Sequence, residues 1–246
     1  MRERILQLKK EGKIYPVALN LAIAALALFG VLLACIFATR DGYSAWIRRM
    51  LYFTQQSNLW IAAVSLAFAV LLIRPDISER ALRLAGLLKY IFTLSITVTG
   101  IIFCGLLAPF ADMPVWYLSN VITHVIVPVL AMADFFTNAW IRPLHKRDVL
   151  YAMIPPAAWF LFASVLCALR VDFGRGEPYP YFFMDFYSEV GLFGAKATPG
   201  ERPMLGSFYW FVLLLALIFG LCLAYRACHK KIWTGLEKRR KRNETL

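Results

Sequence analysis

Six stretches of the chain stay almost wholly apolar for about 20 residues, the length a helix needs to cross a bilayer. They run roughly over 15–38, 52–73, 87–107, 115–138, 149–169 and 207–228. Short polar links separate them, except for a long fifth link at 170–206. Lipid offers no partner to backbone N–H and C=O groups, so each stretch must satisfy its own as a helix. The pattern predicts an all-α polytopic membrane protein: a six-transmembrane-helix bundle, a single integral membrane domain over 1–246, with a basic tail from 229 to 246. There is no internal repeat and no matched pair of broken segments of the inverted-repeat transporter kind.

Lysine and arginine are divided unevenly between the links. Twenty lie in the N-terminal segment, the links after the second and fourth spans, and the tail, counting Lys89 with the link and Arg226 with the tail although each stands at the end of a span; seven lie in the remaining links. The bias predicts that both termini are cytoplasmic, N-in/C-in, in an inner or plasma membrane. The tail sequence Arg239–Arg242 fits the same signal and an attraction to anionic lipid.

Composition agrees. Apolar residues make up 60% and charged residues 17%, and the mean hydropathy is +0.61. The net charge of +12 raises the question of nucleic acid, but the basic residues flank the apolar runs and no nucleic-acid-binding motif accompanies them. No nucleic-acid partner is expected. The five cysteines lie within or at the edges of apolar runs and form no CxxC pair, so neither a disulfide framework nor a thiolate metal site is expected.

Polar residues inside the spans are expensive and therefore informative. The second span opens with Thr54-Gln55-Gln56-Ser57-Asn58. In a helix Thr54, Ser57 and Asn58 share one face, and Gln55 and Gln56 point elsewhere. They must meet the bundle, a wet vestibule or the headgroup region. The alternative is interhelical glue with no chemistry. The fourth span carries His124, the one histidine within a span, with Asn120 one turn before it and Pro128 one turn after. Pro128 has no N–H, which leaves the His124 carbonyl without its helical donor and predicts a kink beside the imidazole. Asp134 lies about 15 Å further along the axis, and capping or charge balance with Arg142 accounts for it. Thr93, Ser95, Thr97 and Thr99 in the third span either bond back to the preceding turn or line a cavity. The long loop contains Glu177–Asp185, EPYPYFFMD, whose aromatics suit an interfacial belt or a re-entrant segment. If the spans start as drawn, Thr54 lies a few ångströms deep and His124 about 13 Å deep, so contact between them requires a shifted helix start or a kink.

Three motifs in chain order, FTQQSN at Phe53–Asn58, H-x3-P-x5-D at His124–Pro128–Asp134 and YPYFFMD at Tyr179–Asp185, resemble the prokaryotic six-span branch of the androgen-induced membrane protein family. The resemblance covers most of the chain. Eukaryotic members are integral-membrane hydrolases of lipid esters, notably fatty acid esters of hydroxy fatty acids, with an intramembrane threonine nucleophile and a histidine partner. It implies Thr54 as nucleophile and His124 as base. The residues allow that chemistry: a neutral imidazole within reach of the hydroxyl can take its proton. Asn120 or a freed backbone acceptor can fix the imidazole tautomer, and Asp185 can approach from the loop to orient it. Gln55, Asn58 or the first amides of the second helix can stabilise an oxyanion, and Ser57 is the competing nucleophile. The expected partner is a membrane lipid or acyl ester entering laterally; no cofactor and no metal are needed. The rival expectation is a non-catalytic lipid-binding or transport protein with a polar vestibule.

Overall fold

The computed structural model describes residues 12–74, 78–111, 114–138, 141–196 and 204–244. The N-terminal basic residues Arg2, Arg4, Lys9 and Lys10, and Arg202 of the long loop, lie outside them. The described chain is an all-α bundle of six helices long and apolar enough to cross a membrane. We number them α1 (Ile14–Ile36), α2 (Phe53–Ile73), α3 (Glu79–Ile102), α4 (Leu118–Thr137), α5 (Lys146–Ala168) and α6 (Ser207–Glu244). A two-residue ribbon, Ala195–Lys196 with Met204–Leu205, is the one β pairing among the described residues.

Two helices exceed their expected length. The start of α3 precedes Leu87 because Ser78 caps it, its hydroxyl accepting the Ala81 N–H at 3.2 Å. The expected tail from 229 is helical to Glu244; its Lys, Arg and Glu residues are good helix formers and no proline interrupts them.

α3 is the central helix and touches α2, α4, α5 and α6, while α1 packs on α2 and α4. One apolar core joins α1, α2, α3 and α4 around Ile23, Ile61, Ile96 and Val127. A second gathers Tyr90, Leu94 and Val98 of α3 with Trp159 of α5 and Leu214 and Ile218 of α6. Phe173, Phe183 and Met184 of the long loop are fully buried in that second core. The loop thus folds onto the bundle, with Phe183 and Met184 of its aromatic motif packed into the second core. Leu150, Leu161 and Leu213 lie exposed on the outer faces of α5 and α6.

α1 to α4 are pinned at two levels. At one, each contributes a polar side chain: Asn20, Ser65, Lys89 and Asp134. Lys89 pairs with Asp134 and donates to Asn20 Oδ1 at 2.8 Å and Ser65 Oγ at 3.1 Å; Asn20 donates to Asp134. This corrects the expectation for Asp134, because Arg142 pairs instead with Asp148 at 2.6 Å. It also moves Lys89 out of the link where its charge was counted and into the bundle interior. The second level, about 15 Å along α3, contains Thr54, Ser57, Thr99 and His124.

Candidate active site

Pro128 follows a widened turn of α4. Residues Ile122–Ile126 form a π-helical turn, widened by one residue per turn, with His124 in its middle. Two glycines let neighbouring helices close on that turn. A Cβ on Gly30 of α1 would lie 2.7 Å from Thr123 Cγ2, and one on Gly100 of α3 would lie 2.8 Å from the His124 carbonyl oxygen. Such distances admit no side chain, so glycine at both positions is a packing requirement. Phe103, just past α3, stacks on the imidazole at 3.9 Å between centroids.

The two expected catalytic residues meet. Thr54 Oγ1 is 3.1 Å from His124 Nε2. The depth difference is absorbed by stagger: Thr54 lies in the first turn of α2 and His124 in the second turn of α4. His124 Nδ1 is 3.0 Å from the Asn120 carbonyl. A carbonyl only accepts, so Nδ1 carries the proton and the neutral ring presents its Nε2 lone pair to Thr54. Thr123 sits 3.0 Å from Nδ1 as well, and its own proton goes to the Ser119 carbonyl at 2.8 Å. Asn120 therefore fixes the tautomer through its backbone; its side chain turns away to the Val115 carbonyl at 2.9 Å.

The other candidates divide. Ser57 is fully buried, 2.8 Å from Thr99 Oγ1 and 3.1 Å from the Thr54 carbonyl. Asn58 donates to the carbonyls of Thr54 at 2.8 Å and Thr123 at 3.2 Å. Both brace the turn that carries Thr54. Gln55 lines the cavity beside Thr54, and its Oε1 is buried without a hydrogen-bond partner. Asp185 stays in its loop, accepting the Tyr187 N–H at 3.0 Å, and is not among the residues lining the cavity. Of the third-span hydroxyls, Ser95, Thr97 and Thr99 donate to carbonyls four residues back.

Thr54 and His124 open into a cleft of about 920 Å³ lined by Tyr43, Arg49, Tyr52, Gln55, Tyr117 and Tyr181 among others. Tyr181 is the residue sequence reasoning missed, although it stands within the quoted YPYFFMD motif. Its hydroxyl faces the Thr54 hydroxyl and the first N–H groups of α2, at Phe53 and Thr54. Its ring is wedged among Tyr52, Trp159 and Phe183. Burial pushes the phenol up to about 12, moderated by those facing donors, so it is a neutral O–H donor across the physiological range. An apolar cleft of about 470 Å³ between α5 and α6, lined by Phe53, Trp159, Phe183, Leu214 and Ile218, shares Tyr181 with the polar one.

Comparison with known proteins finds no matching family model, no matching curated protein and no matching solved structure. Among the described residues no cluster of three or more potential metal ligands occurs.

Proposed function

We propose that this chain is an intramembrane hydrolase of lipid esters with Thr54 as nucleophile and His124 as base. The observation that carries the reading is the 3.1 Å contact between Thr54 Oγ1 and an imidazole nitrogen left unprotonated by the Asn120 carbonyl, inside an open cleft. His124 takes the hydroxyl proton as Thr54 attacks the ester carbonyl, and returns it to the departing alcohol. A water then hydrolyses the acyl-threonine with His124 again as base. In this reading the Tyr181 hydroxyl and the N–H groups of Phe53 and Thr54, which meet beside the Thr54 hydroxyl, are the donors that would stabilise the oxyanion. The apolar cleft beside them suits the acyl chain.

The reading agrees with the resemblance to the six-span branch of the androgen-induced membrane protein family. It needs no cofactor. In it the helices cross an inner or plasma membrane with both termini cytoplasmic, as the lysine and arginine bias directs, and lipid enters between helices. One observation favours the non-catalytic alternative, a lipid-binding or transport protein. His124 Nδ1 meets a backbone carbonyl and a threonine hydroxyl rather than a carboxylate, so no anion supports an imidazolium.

Turnover of an activated acyl ester by the purified protein in detergent separates the two. The hydrolase reading expects Thr54→Ala and His124→Ala to lower the rate by at least about 100-fold with melting temperature retained. Equal turnover by all three folded proteins contradicts it.

A further inference from the structure

The cleft at Thr54 is continuous with a second, outer cleft of about 1190 Å³ through shared walls at Ala111, Val115, Tyr117 and Arg175. Across the two, the charged lining residues are Arg40, Arg49, Arg175 and one acid, Asp41. Asp41 accepts from Arg49 at 2.7 Å and lies 3.6 Å from Arg40. Arg175 forms no ion pair among the described residues.

Arg175 is held in place by construction. It sits in the turn Asp172-Phe173-Gly174-Arg175-Gly176. Asp172 Oδ1 accepts the Gly174 N–H at 2.7 Å and the Gly176 N–H at 2.9 Å. Both glycines have positive φ, 111° and 79°, which favours glycine. The Gly174 carbonyl accepts the Ser44 N–H at 2.6 Å, and a Cβ on Gly174 would lie 2.8 Å from the Tyr43 ring. The turn lays the Arg175 guanidinium over Tyr43, 4.5 Å from the ring centroid, and the same ring carries Arg49 at 4.3 Å.

Two guanidinium groups are thus gathered on one aromatic ring at the mouth of a cavity; the Asp41 carboxylate pairs with Arg49, whereas Arg175 meets only the Asp41 backbone carbonyl, donating to it at 3.2 Å, so the second positive charge has no counter-ion among the described residues. Arg49 is 4% exposed, and its Nε–H has no hydrogen-bond partner. A buried donor left unsatisfied is costly, and Arg49 lines the cleft that a ligand would enter.

We infer that the vestibule is a binding site for an anionic oxygen group, a carboxylate or a phosphate, held between Arg49 and Arg175. Guanidinium forks match either group in geometry and charge. The anion is the polar end of an amphiphile whose remainder extends toward Thr54. The site stands independently of ester hydrolysis, since it requires only that a ligand bind.

The test is the melting temperature of the purified full chain in neutral detergent, titrated with octanoate, octyl phosphate and octanol. A specific ligand of the folded state raises the melting temperature saturably. The site predicts such a rise with one or both anions and none with octanol, the tighter anion identifying the group. Arg175→Gln, at an exposed turn position, raises the half-saturating concentration at least about tenfold. Arg175→Lys, which keeps the charge and loses the fork, falls between. An octanol response equal to that of the anions, no response to either anion, or an unchanged half-saturation in folded Arg175→Gln overturns the inference. Thr54→Ala keeps the anion response. Anion binding without ester turnover in the wild type would therefore sink the hydrolase reading and leave this one standing.

Discussion

Gly100 of α3 lies against the His124 carbonyl so closely that a Cβ would sit 2.8 Å from that oxygen and 3.2 Å from the Pro128 ring. Proline opened α4 at this point, and glycine lets α3 fill the opening. The consequence is that the orientation of His124 depends on a residue with no chemistry of its own.

Gly100→Ala should therefore push the π-helical turn away from α3 and disturb the Thr54–His124 contact. Overpacking of this kind costs about 1–3 kcal/mol. The expected result is a lower melting temperature with a fall in ester turnover larger than the stability loss explains. Wild-type turnover in Gly100→Ala would show that the close approach does not position the imidazole.

Tyr181 is assigned a transition-state role, so its loss should appear in kcat. Tyr181→Phe keeps the ring packing and removes the donor; kcat should fall about 10- to 100-fold with KM little changed. Because its phenol ionises only near about 12, this donor should persist as pH rises from 7 to 10. Its ionisation in the folded state lies above the ordinary tyrosine value of about 10, so the stability it contributes is complete below that value and declines as pH climbs toward about 12. A raised KM with kcat unchanged would reassign Tyr181 to substrate binding.

Ser57 is the discriminating control. It is fully buried and bonded within the helix bundle, so Ser57→Ala should leave turnover within a few-fold of wild type. A loss comparable to that of Thr54→Ala would transfer the nucleophile's role to Ser57.

The Lys89–Asp134 pair makes a prediction about stability alone. Removing one partner leaves a buried charge uncompensated, at about 3–5 kcal/mol. Lys89→Met should accordingly lower the unfolding free energy by that order, and adding Asp134→Leu should recover much of it. Additive losses in the double variant would mean that the two side chains stabilise the bundle separately.

The apolar runs made the six helices legible because a bilayer-length run has few other solutions. His124, Pro128 and the polar opening of α2 were equally legible, since each breaks an otherwise apolar pattern. Contact between Thr54 and His124 was not, because spacing along two separate helices carries no information on their stagger. Lys89 was misread because it stands near the end of an apolar run, where a link and a helix interior have the same local composition. Asp134 was misassigned for the same reason: its partner is 45 residues away in sequence, whereas Arg142 is near. Tyr181 and Arg175 lie in a loop, and a loop's fold onto the bundle follows from turn geometry at Gly174 and Gly176 rather than from periodicity.

The most direct measurement is the mass of the intact protein after reaction with an alkyl fluorophosphonate, followed by peptide mapping. An activated nucleophile displaces fluoride and keeps the phosphonyl group. The account predicts one adduct, on Thr54, absent from Thr54→Ala and from His124→Ala. No adduct on the folded wild type, or an adduct on another residue that survives in both variants, contradicts the Thr54–His124 assignment.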